Sequence, residues 1–107
     1  MSETLTLVRR LAVSGEIKIS EHGYDELAED GIFARDVVAG LDNAVVVEDY
    51  PNYPKGPCVL VLEKDRDGKP IHVVGGIPKG QITPAVVITA YRPDAKRWTD
   101  DSLRRRR

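Results

Sequence analysis

The stretch that decides the fold is CVLVLEKD (58–65), RDGK (66–69) and PIHVVGGI (70–77). The outer pieces are β-type runs rich in branched apolar residues. Asp67-Gly68 between them supplies residues that tolerate positive φ, as a tight hairpin requires. This hairpin is expected at the centre of an antiparallel sheet. It also carries His72, one of only two histidines.

Working outward, the segment before residue 44 reads as helical. Residues 3–14 place Leu7, Val8 and Leu11 on one face, with Glu3 early and Arg9-Arg10 late, the order a helix dipole favours. Ile17-Lys18-Ile19 alternates as a short extended piece. Ser20 is a suitable N-cap for a second helix to about Glu29, with Tyr24, Leu27 and Ala28 as its buried stripe. Gly31 ends it, Ile32 inserts into the core, and a third helix spans 34–41 with Val37, Val38 and Leu41 inward. From Ala44 the pattern turns to β. AVVVEDY (44–50) reads as a strand, and the Pro-rich YPNYPKGP as a loop. After the hairpin and PKGQITP comes a last strand, AVVITAY (85–91). Three helices followed by a four-stranded antiparallel meander predict an α+β domain with the helices on one face. The domain is expected over 1–98, closed by Trp98 docking on the sheet or a helix, and 99–107 is expected to be a flexible basic tail.

The totals agree with one soluble domain. The chain has 107 residues, 41% apolar and 31% charged. No apolar run approaches the roughly 20 residues that span a bilayer, and the N-terminus lacks a basic-then-apolar secretory signal. A cytoplasmic bacterial protein without membrane contact is the expectation. The single cysteine, Cys58, excludes an internal disulfide and a Cys-based zinc site. No cofactor or metal is expected. Residues 1–50 hold 4 basic and 11 acidic side chains, whereas 51–107 hold 12 basic and 6 acidic. Arg104 to Arg107 supply four of those cations, a contact for nucleic acid or an acidic partner, or else a solvated end.

The residues able to do chemistry are few. Proton-transfer chemistry without a metal needs a base, an acid and cations for the developing charge. His72 and Tyr91 share a face if their strands pair, and they form the catalytic candidates together with His22. Arg92, Lys96 and Arg97 follow the last strand and are the candidates for binding phosphate. Each has a plain alternative: a strand histidine satisfied by a carbonyl, a helix histidine bonded locally, an amphipathic edge tyrosine and a solvated basic turn. Gly75-Gly76 and Gly80 lack the strand–loop–helix setting of a phosphate loop.

Five pieces in order carry a family resemblance. They are Ile19-Ser20-Glu21-His22, Gly31-Ile32, Glu48-Asp49-Tyr50, Pro70-Ile71-His72-Val73-Val74, and Thr89-Ala90-Tyr91-Arg92-Pro93-Asp94 with Trp98 close behind. The chain from Ile17 to Trp98 resembles the bacterial domain of unknown function 4258 family. That family is similar to the RelE/ParE/BrnT-like toxins of toxin–antitoxin pairs. The resemblance implies a RelE-like fold, a ribonuclease or a degenerate relative of one, and a small antitoxin partner. One departure stands out. The family's His-x-x-x-Arg-x-x-x-Arg-Gly-Ile arrangement has Glu26 and Asp30 here in place of the two arginines. That loss of cations weakens a phosphate-binding role for the helix. The leading expectation is a toxin-like component of such a pair, a metal-independent ribonuclease with His72 as its proton-transfer residue, Tyr91 as its neighbour, and Arg92, Lys96 and Arg97 on RNA phosphate. The two acids speak for the rival reading, a non-catalytic module of the same fold that binds a protein partner or forms a homodimer.

Overall fold

The computed structural model describes residues 2–106. Met1 and Arg107, the last residue of the arginine run, lie outside them. The Ser2 hydroxyl accepts the Leu5 N–H at 3.1 Å and starts helix α1 (Glu3–Val13). Leu5 and Val8 are buried, but Leu7 is 40% exposed. The expected stripe is corrected at Leu7, which gives its place to Leu5. Leu5 and Val8 lie three apart and share a face, whereas Leu7 is rotated about 100° from Val8.

Helix α2 (Glu21–Asp30) follows β1 (Ile17–Ile19). The Ser20 hydroxyl accepts the Gly23 N–H at 2.9 Å, and Gly31 closes the helix with φ 65°. Its buried residues are Gly23 and Leu27, while Tyr24 and Ala28 face solvent. The reason is contact distance. A Cβ at Gly23 would lie 2.9 Å from Ile19 Cγ2 and 3.1 Å from the Val87 carbonyl. The helix backbone therefore rests directly on strands, and Leu27, one turn on, shares that contact. Helix α3 (Ala34–Gly40) continues into a 3-10 turn, Leu41–Asn43. Val37 and Leu41 are buried, and Val38 is only partly so.

Strands β2 (Val45–Tyr50), β3 (Cys58–Lys64), β4 (Pro70–Gly76) and β5 (Ala85–Tyr91) form the expected meander. The sheet as a whole differs from the expectation. It has five strands in the order β1-β5-β4-β3-β2, and β1 pairs parallel to β5. The sheet is thus mixed rather than four-stranded and antiparallel. The hairpin turn closes on Asp65, whose Oδ1 accepts the N–H groups of Asp67 and Lys69 at 2.9 Å each, with Gly68 at φ 79°.

The helices cover the face bearing Val59, Val61, Ile71, Val73 and Val87, which with Leu5, Val8, Leu27, Val37 and Leu41 make the core. The opposite face is covered only in part. Trp98 docks there, as expected from its apolar area, and is 4% exposed. Residues 99–106, assigned from the sequence to a flexible tail, turn back on Trp98. Ser102 donates its N–H to the Thr99 carbonyl, Thr99 donates to the Arg104 carbonyl, and Arg106 donates to the Arg97 carbonyl. Trp98 and Arg105 face each other as an antiparallel bridge. No helix among the described residues is long and apolar enough to cross a membrane.

Candidate functional site

Strand register brings His72 and Tyr91 together. They are direct partners across β4 and β5. A bulge between Val74 and Gly75 leaves Ile88 without a partner and sets this register. The two rings lie 5.4 Å apart between centroids, edge to face at 82°. The shared face expected from the sequence is therefore present.

His72 is nevertheless 0% exposed. Trp98 lies edge to face against it at 4.3 Å. Its Nε2 sits 2.7 Å from the Ser102 carbonyl oxygen. A carbonyl can only accept, so Nε2 carries the proton and the basic lone pair is on Nδ1. That Nδ1 is buried with no hydrogen-bond partner. Burial pushes the His72 pKa down, partly opposed by the Ser102 carbonyl. The shared face is thus not an open one at His72: the lone pair that would take a proton is buried. Burial likewise pushes the Tyr91 phenol up.

The segment over His72 is held by charge as well as packing. Arg105 donates from Nε and Nη2 to the two carboxylate oxygens of Glu48 at 2.9 and 3.0 Å, and it lies 4.7 Å over the Trp98 ring. The Arg105 hydrogen bond holds the Glu48 carboxyl below its ordinary range. Glu48 also accepts the Tyr50 hydroxyl at 2.7 Å, which raises the Tyr50 pKa.

Beside Trp98 opens a cavity of about 340 Å³ lined by Tyr91, Arg92, Asp94, Arg97, Trp98 and Arg105. Two of the three expected phosphate contacts, Arg92 and Arg97, reach it. Arg92 is already engaged, donating to Asp65 Oδ2 at 2.8 Å and to the Pro70 carbonyl at 3.2 Å. Its backbone N–H donates to Asp30 Oδ2 at 2.8 Å. Asp30, one of the two acids standing where the resemblance expects arginine, thus ties α2 to the end of β5. Arg97 is exposed. Lys96 is exposed and does not line the cavity. His22 stays apart on the outer side of α2, its Nε2 3.5 Å from Glu26 Oε1. Arg105 was missed by sequence reasoning, because a cation within an arginine run carries no signal of a specific contact. Among the described residues no group of three or more His, Cys, Asp or Glu is placed to hold a metal.

Chemically, the arrangement offers cations and a phenol to an anion at the surface, with a histidine buried behind Trp98. A family model described as "Domain of unknown function (DUF4258)" matches residues 19–92. Neither the curated proteins nor the solved structures contain a match to the chain.

Proposed function

The chain belongs to the DUF4258 family, and on that premise we propose that it is a non-catalytic module that binds a small protein partner of the antitoxin kind. The observation that carries this reading is the burial of His72, whose basic nitrogen meets neither solvent nor a hydrogen-bond partner. A general base must come within hydrogen-bond reach of the proton it removes. The partner surface is the uncovered end of the same sheet face. There Tyr53, Pro57, Ile77, Val86 and Ile88 line an apolar cavity of about 370 Å³. Tyr53 is 51% and Ile88 40% exposed, a cluster suited to an apolar segment. Co-expression with the product of an adjacent small open reading frame tests it. The pair co-purifies from the wild type and separates in Ile88→Glu, while induction of the chain alone leaves growth unchanged. Growth arrest that His72→Ala relieves would overturn the reading.

A second reading, an RNA-cleaving toxin, is favoured by one observation: Tyr91, Arg97 and Arg105 line a common cavity one ring away from His72. It requires the segment from Trp98 onward to lift. RNA cleavage that appears in Trp98→Ala and vanishes on adding Tyr91→Phe would support it.

A further inference from the structure

The opposite face of the sheet holds a second anomaly. Glu63 follows Leu62, the partner of His72, and so points to the helix side. It is 2% exposed, and both its carboxyl oxygens lack a hydrogen-bond partner. Its neighbour across the strands is Ile71, which offers no donor. The next residue, Lys64, is exposed and alternates to the other face of the strand, but it also borders the cavity beside Glu63.

Glu63 lies against Gly40, where a Cβ would come within 2.7 Å of Oε1. Any side chain at position 40 would fill the space the carboxyl occupies. Both residues line a cavity of about 540 Å³, together with Asn43, Val45, Lys64, Arg66 and Gly68. The surrounding guanidinium groups are already engaged. Asp36 of α3 holds Arg66 at 2.8 Å, and Asp65 of the turn holds Arg92 at 2.8 Å. Arg9 of α1 donates to the Leu41 and Ala44 carbonyls. Glu63 is left as a built-in acceptor with no donor.

We propose that this cavity binds a guanidinium group, with Glu63 accepting two parallel N–H bonds through its two unpartnered oxygens at the cavity's inner end. A planar, permanently charged fork satisfies both at once, which an ammonium point charge does not. Asn43 on the wall supplies an amide able to accept a further N–H. Burial, with Asp36 nearby, raises the Glu63 carboxyl to about 9, so near neutrality the site holds a proton that the ligand must displace. One proton leaves for each guanidinium bound.

The test uses the full chain and two probes, agmatine as a free small molecule and N-acetyl-arginine amide as a peptide side chain. Calorimetry at pH 7.5 in buffers of different ionisation enthalpy reads the proton. The expected result is saturable binding of one probe with release of one proton. The affinity should rise about tenfold per pH unit up to about 9. Glu63→Gln, folded by circular dichroism, loses the pH slope and binds at least about tenfold more weakly at pH 9. Preference for agmatine assigns a free metabolite, and preference for the capped arginine assigns a protein partner. Absence of saturable binding by both probes overturns the proposal, as does binding without proton release in the wild type. The second readout holds even if Glu63→Gln fails to fold.

Discussion

At the scale of single residues, two buried titratable groups set opposite limbs of stability against pH. Glu63 has a folded pKa of about 9 against an ordinary 4.5. Between those values the folded chain binds more protons than the unfolded one, so its stabilising share is complete below 4.5 and is lost as pH rises towards 9. The slope is about 1.4 kcal/mol per pH unit at most. His72 works the other way. Burial lowers its pKa below 6.5, so its share is present above 6.5 and is lost as pH falls through the folded value. Above pH 6.5 only the Glu63 limb remains of the two. Urea unfolding at pH 6.5 and 8.5 should therefore show a loss of roughly 2 to 3 kcal/mol in the wild type. In Glu63→Gln the loss should be absent. An equal decline in both proteins would remove Glu63 as its source.

At the scale of elements, the contact between α2 and β5 depends on one missing Cβ. Gly23→Ala forces a methyl to within 2.9 Å of Ile19 Cγ2 and 3.1 Å of the Val87 carbonyl. The carbonyl belongs to a paired strand and cannot yield easily. The expected cost is about 1 to 3 kcal/mol in urea unfolding, despite the better helix propensity of alanine. A neutral or stabilising result would mean that α2 can lift from the sheet without penalty. This element also shows what the sequence made readable. Ser20 and Gly31 marked its ends, because capping chemistry is local. Its buried face was misread, because a glycine used for close approach is silent in a hydrophobic pattern, whereas the exposed Tyr24 is not. The hairpin 58–76 was legible for the same local reason, with β-branched runs around Asp67-Gly68. The edge strand β1, which pairs with β5, was not read as part of the sheet. Three residues carry too little pattern, and their pairing with Ala85–Val87 spans most of the chain. The pairing of His72 with Tyr91 followed from alternation. Its burial did not, since the covering Ser102–Arg105 turn is polar and basic. The orphaned Glu63 likewise reads as an ordinary polar strand end until Gly40 is seen against it.

At the scale of the whole molecule, the question is where the folded unit ends. Composition places a boundary after Trp98, yet Ser102 is 7% exposed and its carbonyl is the partner of the buried His72 Nε2. Removing residues 99–107 would take the Ser102 carbonyl from His72 Nε2, strip Arg105 from the Trp98 face and open the His72 ring to water. The lost hydrogen bond is worth about 1 kcal/mol, and the bared apolar surface of Trp98 and of the imidazole adds about 25 cal/mol per Å² to that. A chain ending at Trp98 should therefore be at least about 2 kcal/mol less stable in urea. Its His72 should titrate closer to 6.5 by NMR as water reaches the ring. A disruption of the Arg105–Glu48 pair by Glu48→Gln should do far less, about 1 kcal/mol or under, because that pair is largely exposed and screened. If the truncated chain matched the full one in both stability and His72 titration, the C-terminal turn would be an appendage rather than part of the domain. The sealing of the histidine would then rest on Trp98 alone.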